Sequence, residues 1–307
     1  MSLRARLLTL ALRLFTKPKL AKMTDPAELR EAMERFTRIA LRPAPGSVAM
    51  PLDLAGRPAL SIRAGIPREG AAVVHFHGGV FIAGSPREHL PMLSRLAKLA
   101  QVTVIAPSYS LAPEHPFPAA LRDAEAAWEA LLAQGYRPEN LILSGDSAGA
   151  ALAFALLSKL CVQGTPPAGA FAFSPWFDLT GSSPSVHQNA QSDPMLAGHR
   201  LPDAAQFYLQ GHPADDPEAS PIFAAFPDCP PVLLQTSETE ILTDDALRME
   251  EKLRKAGTEV TVQLWPGVPH AWQMMDGLIP EARDALRDAA RFVTRVLTAP
   301  PQRSDDS

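Results

Sequence analysis

The most informative run in this chain is Leu141-Ile142-Leu143-Ser144-Gly145-Asp146-Ser147-Ala148-Gly149. The run begins with apolar residues that favour a strand. After it, small and apolar residues in a helical pattern continue as far as Leu160. The run therefore predicts a sharp turn between a strand and a helix, with Ser147 exposed at the corner. Glycine on both sides suits this turn, because the serine needs a strained backbone and a neighbouring Cβ would keep the strand and the helix apart.

The corner places a hydroxyl in the position of a nucleophile. A helix that starts at Ala148 directs the N–H of that residue towards negative charge developing beside Ser147. Chains with such a serine are expected to carry backbone donors for an oxyanion before it, and an acid followed by a histidine after it. The sequence contains candidates for all of these parts.

The candidate oxyanion segment lies upstream, where the apolar run 73–76 is followed by His77-Gly78-Gly79-Val80. This pattern predicts a strand that ends in a tight loop. Glycine lets backbone N–H groups approach a substrate carbonyl oxygen, and one such donor stabilises a tetrahedral oxyanion by roughly 2.7–4 kcal/mol. We predict that the amides of Gly78, Gly79 and Ala148 form the oxyanion hole, with the N–H of Val80 as an alternative.

The candidate base is His270, which lies in the Pro- and Gly-rich loop 265–270, after the strand-like run 259–264. A neutral imidazole there takes the proton of Ser147 and returns it to the leaving group. We expect activity to fall as His270 becomes protonated, around its ordinary pKa of about 6.5. The other histidines are interpreted as surface or packed residues: His75, His89, His115, His187, His199 and His212.

Four carboxylates compete for the role of the acid. The apolar run 231–236 predicts a strand, and Glu238, Glu240, Asp244 and Asp245 follow it. Asp244 and Asp245 also have a structural interpretation, because they begin a predicted helix whose N-terminal dipole favours negative charge. The residues alone leave the choice open.

Three motifs in this chain resemble those of the bacterial hormone-sensitive lipase family of α/β-hydrolase esterases. Residues 145–149 match the family's Gly-Asp-Ser-Ala-Gly motif, and residues 77–80 are similar to its His-Gly-Gly-Gly motif. Residues 109–114 are similar to its Tyr-Arg-Leu-Ala-Pro-Glu segment. The departures are Val80 in place of the third glycine and Ser110 in place of the arginine, whose ion pair is then absent or replaced.

The resemblance implies that Glu240 is the acid of a triad with Ser147 and His270. The family's acid is usually the first Asp of an Asp-x-Leu-x-Asp segment, and residues 240–244 keep that pattern with glutamate in the first position. Glu240 is then expected to orient His270 and to stabilise its imidazolium. Asp244 is the second choice and Glu238 the third.

The resemblance also implies an activity, that of a serine carboxylesterase acting on short- to medium-chain acyl esters through an acyl-enzyme. The expected partner is a small-molecule ester substrate, and no organic cofactor and no metal are expected. The alternatives are a lactonase or an amidase with the same triad, and a non-catalytic small-molecule receptor on the same fold. The presence of His270 disfavours the receptor, because receptors of this fold have lost the triad histidine.

The composition fits a globular chain, since 46% of the 307 residues are hydrophobic and 20% are charged. Strand-like runs alternate with helical patterns, which predicts an α/β fold with a mostly parallel sheet flanked by helices. The strands are predicted near 72–77, 102–107, 141–144, 169–174, 231–236 and 259–264, and the helices near 87–100, 119–134, 148–162, 244–256 and 280–297. A net charge of −4 argues against a nucleic-acid partner, which would require a basic face.

Two stretches fall outside this alternation, and the resemblance implies that they form a helical cap over the active site. We predict an N-terminal cap segment over 1–45 and a cap insertion at about 181–216. The α/β-hydrolase catalytic domain is predicted over 46–298. The polar tail 299–307 is predicted to be disordered.

The N-terminal segment has two interpretations, because residues 1–15 are rich in Leu and carry Arg4 and Arg6. Arg13 interrupts the apolar run, no small-residue cleavage site follows, and the run is far shorter than the roughly 20 residues that span a bilayer. We interpret the segment as a cap helix of a cytoplasmic enzyme. The alternative is a basic amphipathic helix in weak contact with an anionic membrane surface. The sequence is also compatible with a homo-oligomer.

Overall fold

An eight-stranded sheet runs through the part of the chain that the computed structural model describes, residues 1–298. The strands are β1 (Ser47–Leu54), β2 (Arg57–Ala64), β3 (Ala72–Phe76), β4 (Thr103–Pro107), β5 (Leu141–Asp146), β6 (Gly169–Phe173), β7 (Val232–Ser237) and β8 (Val260–Trp265). Their order across the sheet is β1-β2-β4-β3-β5-β6-β7-β8. The tail 299–307, predicted to be disordered, lies outside the described residues.

Strands β3 to β8 are parallel, and they are the six strands that the sequence predicts. Strands β3 to β7 are buried throughout, because helices cover both faces of the sheet. Successive side chains point to opposite faces, so Val74 lies in one core cluster and Val73 in the other. The predicted α/β architecture is confirmed.

The first two strands form an antiparallel hairpin that the sequence analysis did not predict. Pro51 interrupts the strand-like pattern of β1, but β1 is an edge strand, and edge strands tolerate proline. Ala55 and Gly56 form the turn with left-handed backbone angles, φ 55° and φ 80°. This pair of positive angles is typical of a two-residue hairpin turn.

The α-helices of the described residues lie before, between and after these strands. They are α1 (Leu3–Ala11), α2 (Lys17–Lys22), α3 (Pro26–Ala40), α4 (Pro86–Ala100), α5 (Ala119–Ala133), α6 (Ala148–Val162), α7 (Ser185–Gln188), α8 (Leu201–Leu209), α9 (Thr243–Lys255) and α10 (Pro280–Thr298), with a π-helix, Leu12–Thr16, between α1 and α2. Helices α5, α6 and α9 pack in the core on one face of the sheet. Helices α4 and α10 pack on the other.

The N-terminal helices contact the segment that contains α7 and α8. The Arg13 guanidinium donates to the Ser192 carbonyl at 2.7 Å, and the Lys17 ammonium donates to the Ala190 carbonyl at 2.6 Å. These bonds join the two stretches that fall outside the sequence alternation. Their division from the catalytic domain at 45, 181 and 216 stays a prediction. Each helix within residues 1–298 is too short or too polar to cross a membrane.

Candidate active site

Ser147 lies at the corner between β5, which ends at Asp146, and α6, which begins at Ala148. Its backbone has φ 53° and ψ −123°, a combination that residues with a side chain rarely adopt. Two hydrogen bonds hold this conformation. The Ser147 amide donates to the Phe173 carbonyl at 2.9 Å, and the Ser147 carbonyl accepts from the Trp176 amide at 3.2 Å.

The two glycines of the corner let α6 approach two strands closely, β3 at Gly149 and β5 at Gly145. A Cβ on Gly149 would overlap the carbonyl oxygens of Phe76 and His77. A Cβ on Gly145 would overlap the carbonyl group of Gly149. Both positions therefore require glycine if the serine is to stay at this corner.

Glu240 and His270 form a buried pair in the loops that follow β7 and β8. His270 Nδ1 and Glu240 Oε2 are 2.7 Å apart, and Glu240 is fully buried. The other carboxylate oxygen of Glu240 accepts from the Thr236 hydroxyl at 2.6 Å and from the Ser237 amide at 2.7 Å. The carboxylate is therefore fixed, and it assigns the proton of a neutral His270 to Nδ1, which leaves Nε2 as an acceptor.

The surroundings of His270 shift its pKa. Burial of the ring disfavours the imidazolium, but the hydrogen bond to Glu240 and the negative charge of that carboxylate favour it more. The pKa of His270 is consequently raised above its ordinary value of 6.5. The structure therefore corrects the prediction of an ordinary pKa for His270, because that prediction did not take a buried carboxylate beside the ring into account.

Ser147 and His270 line the same cavity, and each is less than a tenth exposed. Within residues 1–298, no hydrogen bond joins the Ser147 hydroxyl to His270 in this structure. Hydrogen bonds of this type are often long without substrate and shorten only in the substrate complex. The structure thus brings the predicted nucleophile, base and acid to one place, with the acid reaching the cavity through the histidine.

The competing carboxylates have other contacts. Asp244 accepts from the Ser185 amide at 2.7 Å, and Asp245 accepts from the Phe177 amide at 2.7 Å. Glu238 is exposed. Asp244 and Asp245 therefore hold the segment after β6, and within residues 1–298 Glu240 is the carboxylate that contacts His270.

The candidate oxyanion hole differs from the prediction at Gly78. Its amide donates to Asp146 Oδ1 at 3.0 Å, so it is not available to a substrate oxygen. The amides of Gly79, Val80 and Ala148 have no hydrogen-bond acceptor within residues 1–298. Val80 has φ 51°, which is rare for a β-branched residue and turns this part of the loop. Val80, the alternative from the sequence, therefore replaces Gly78 in the candidate set.

Asp146 lies beside the serine but is not among the site residues predicted from the sequence. Its carboxylate is buried, 3.2 Å from His75 Nε2 and 3.1 Å from His89 Nε2. Burial favours the protonated carboxyl, but the two histidines outweigh it and hold the pKa of Asp146 well below its usual range. The carboxylate in turn raises the pKa of His89 against the effect of burial. Asp146 thus anchors the loop at Gly78, and its signal was a charged residue at the end of an apolar strand.

The segment that contains Ser110 has a carboxylate partner on another element. Asp123, on α5, accepts from the Ser110 amide at 2.8 Å and pairs with Arg57 of β2 at 3.0 Å. The segment that contains Ser110 is therefore held to α5 and to the hairpin at the same carboxylate.

Arg30 of α3 binds the loops around the candidate oxyanion hole. Its guanidinium donates to the Ile82 carbonyl at 2.7 Å and to the Ala112 carbonyl at 2.9 Å. It also pairs with Glu114 at 2.7 Å, and this side-chain hydrogen bond lowers the pKa of Glu114 to about 2. Arg30 thus holds α3 against two loops of the core.

The cavity beside Ser147 has a volume of about 430 Å³. Its reactive end carries Ser147, His270 and the loop Gly79-Val80. Apolar side chains from the two cap stretches form much of the remaining wall: Leu12, Phe15, Leu20, Met33, Phe36, Met195, Leu196 and Phe207. Within residues 1–298, no three His, Cys, Asp or Glu side chains form a group that could hold a metal ion. The arrangement suits a substrate with an apolar chain and a carbonyl group at the serine.

Known proteins resemble this chain in sequence and in structure. A family described as alpha/beta hydrolase fold matches residues 73–274. An acetyl-hydrolase of Streptomyces hygroscopicus is 40% identical over 227 residues, which cover 74% of this chain and 76% of that protein. An esterase of Acinetobacter venetianus is 36% identical over 271 residues, which cover 88% of this chain and 89% of that protein.

The structural comparison gives the same assignment. The crystal structure of an esterase from the bacterial hormone-sensitive lipase family superposes with a TM-score of 0.90 and 32% sequence identity. The superposition covers 97% of this chain and 99% of that one. Sequence, fold and relatives agree, and the chain belongs to the bacterial hormone-sensitive lipase family of α/β-hydrolases, as a carboxylic ester hydrolase.

Proposed function

We propose that this esterase is a serine enzyme that hydrolyses short- to medium-chain acyl esters through an acyl-enzyme. The observation that carries the proposal is the buried Glu240–His270 pair beside the cavity that Ser147 lines. A fixed carboxylate on Nδ1 leaves Nε2 to accept a proton, which is what a serine nucleophile needs.

In the first half-reaction, Ser147 Oγ attacks the ester carbonyl carbon and His270 Nε2 takes the hydroxyl proton. Glu240 stabilises the imidazolium that forms. The amides of Gly79, Val80 and Ala148 donate to the oxyanion, and each such donor contributes about 2.7–4 kcal/mol to the transition state. His270 then gives its proton to the leaving alcohol as the C–O bond breaks.

In the second half-reaction, water attacks the acyl-enzyme. His270 Nε2 takes a proton from the water, and the same amides hold the second oxyanion. Collapse of this intermediate returns the proton to Ser147 Oγ and releases the carboxylic acid. The proposed reaction uses no cofactor or metal ion at any step.

The preference for short to medium acyl chains rests on the cavity. Met195 and Phe207 line its wall, and we infer that they limit the length of an acyl chain beside Ser147. The Streptomyces hygroscopicus relative is named an acetyl-hydrolase, which agrees with a small acyl group. The cytoplasmic location and a homo-oligomeric state stay predictions from the sequence.

Initial rates on p-nitrophenyl esters from acetate to palmitate test the proposal, with Ser147→Ala as the control at each chain length. We expect a maximum at short or medium chains and a loss of at least about 10³-fold in the control. Equal rates in both proteins would show that Ser147 is not the nucleophile. A lactone and an anilide in the same assay distinguish the esterase from a lactonase or an amidase, and a protein that binds but hydrolyses nothing would be a receptor.

A further inference from the structure

The first helical run of the chain, residues 3–16, carries apolar side chains on two opposite sides. On one side, Ala5 and Leu12 are buried in a small core cluster with Trp272 and Met275. The other side carries a row spaced by four, three and four residues, which places its members on one face of a helix. The row consists of Leu3, Leu7, Leu10 and Leu14, which are 72%, 59%, 52% and 58% exposed. We call this row the leucine stripe.

The run is fixed so that the leucine stripe faces outward. The Ser2 hydroxyl donates to Glu281 at 2.9 Å, and the Arg13 guanidinium donates to the Ser192 carbonyl at 2.7 Å. A rotation that buried the stripe would expose Ala5 and Leu12 instead, so the helix has no orientation that hides both apolar sides. Single exposed leucines are common on protein surfaces, but a continuous apolar row marks an interaction surface.

The charged side chains of the segment that carries the stripe have one sign. Residues 1–24 contain six cationic side chains and no acidic one, although the whole chain has a net charge of −4. Arg4 and Arg6 are exposed and form no ion pair with any residue of 1–298. The outward side of this helix, an apolar row flanked by arginines, matches the surface that a helix in the plane of a membrane interface presents to lipid, and its opposite side is packed on the core.

We propose that the leucine stripe docks on the surface of an anionic phospholipid membrane. The four leucines enter the boundary between headgroups and acyl chains, and Arg4 and Arg6 bind the phosphates. A second copy of the chain fits less well, because a two-fold contact through this helix brings like charges together. Phe15 and Lys19, which continue the same segment, line the cavity of Ser147, so docking brings that part of the cavity wall close to the lipid.

Cosedimentation of the full chain with vesicles tests this proposal. The vesicles are phosphatidylcholine alone, or phosphatidylcholine with phosphatidylglycerol. The stripe variant is Leu7→Gln with Leu10→Gln, since glutamine keeps the helix propensity of leucine. Its matched control is Ile66→Gln with Val162→Gln, two exposed apolar residues elsewhere on the surface.

A charge variant completes the set, Arg4→Gln with Arg6→Gln, and its matched control is the exposed pair Arg63→Gln with Arg68→Gln. We expect the unaltered protein and both controls to bind the phosphatidylglycerol vesicles and to be released by salt. Removal of each flanking arginine is expected to weaken partitioning about fivefold, and the stripe variant to weaken it about tenfold.

Hydrolysis of p-nitrophenyl acetate in solution serves as the folding control, because none of the altered residues lines the cavity. It should be unchanged in all variants, whether or not the vesicles are bound. Binding that is absent, equal on both vesicle types, or unaffected by the stripe variant would overturn the proposal. A lipid-free dimer that the stripe variant dissociates would also overturn it and assign the stripe to a second copy.

Discussion

Glu240 and Asp244 differ at the level of single side chains, although both follow β7. Glu240 contacts His270, whereas Asp244 accepts a hydrogen bond from the Ser185 amide, in the segment after β6. We predict that Glu240→Ala lowers kcat by about 10³–10⁴-fold, because the imidazolium loses its partner and the ring loses its tautomer.

Asp244→Ala is the matched control for this prediction. It should leave kcat within a fewfold of the unaltered enzyme and lower the free energy of unfolding by about 1 kcal/mol, the usual contribution of one hydrogen bond. Steady-state kinetics and urea unfolding on both variants measure the two quantities. If Asp244→Ala were the more damaging to kcat while still folded, the acid would have been assigned to the wrong residue.

The pH dependence of kcat/KM follows from the raised pKa of His270. In the proposed mechanism only the neutral imidazole accepts the Ser147 proton, so activity is present above the pKa and lost as pH falls through it. We predict an acidic limb with its midpoint above 6.5, the ordinary histidine value. Glu240→Gln should move the midpoint to lower pH, because it removes the negative charge that stabilises the imidazolium. A profile that stays flat from about pH 8 to 5 would exclude His270 as the base.

The sequence predicted the site residues to different degrees. Ser147 and His270 follow from a strand-turn-helix pattern and from a loop after a late strand, so local sequence suffices to select them. Glu240 required the family resemblance, since four nearby carboxylates have the same chemistry. The structure departs from the prediction at Gly78, whose amide donates to Asp146, because the direction of an amide depends on loop torsions. No local pattern predicts that Val80 has a positive φ.

At the scale of elements, Arg30 joins α3 to the core by binding two carbonyl groups and Glu114. We predict that Arg30→Gln makes local opening of α3 about tenfold more frequent, because charge-assisted hydrogen bonds at a partly exposed site are lost. Hydrogen exchange of the α3 amides measures this opening. KM should rise severalfold, since Met33 on α3 lines the cavity.

Arg35→Gln is the control on the same helix, because Arg35 is exposed and makes no side-chain hydrogen bond within residues 1–298. Its exchange rates and KM should equal those of the unaltered enzyme. Equal behaviour of Arg30→Gln and Arg35→Gln would mean that other contacts hold α3.

The strands that are buried on both faces of the sheet could be predicted from the sequence. Strands β3 to β7 have helices on both sides of the sheet and are predicted from apolar runs, so pattern and structure coincide. The edge strand β8 is only partly buried, and it is predicted from its β-branched residues. The hairpin β1–β2 has one exposed edge, a proline at 51 and a mixed composition, and its strand character comes from pairing rather than from local sequence. β2 also pairs with β4, which lies far along the chain, and a pairing of that kind is not contained in a local pattern.

At the scale of the whole molecule, two distant parts of the chain share one cavity, and its length is set by their packing. We predict that Phe207→Ala raises kcat/KM for octanoate relative to butyrate about tenfold, because the shorter side chain admits roughly two further methylenes, each worth about 0.8 kcal/mol in apolar contact. Rates on the two p-nitrophenyl esters give the ratio. Phe223→Ala is the control, since Phe223 is exposed outside the cavity, and a ratio that changes equally in both variants would contradict a wall at Phe207.

The division of the cavity between chain segments has an evolutionary consequence. The family match covers residues 73–274, which include the proposed nucleophile, acid and base, whereas Phe15, Met33 and Phe36 lie outside it and still line the cavity. Mutations or recombination in the first seventy residues can therefore change which esters fit while the hydrolytic machinery is inherited intact. Such an arrangement allows substrate range to diversify among descendants faster than chemistry does, and it makes the N-terminal segment a natural unit to exchange when new specificities are engineered.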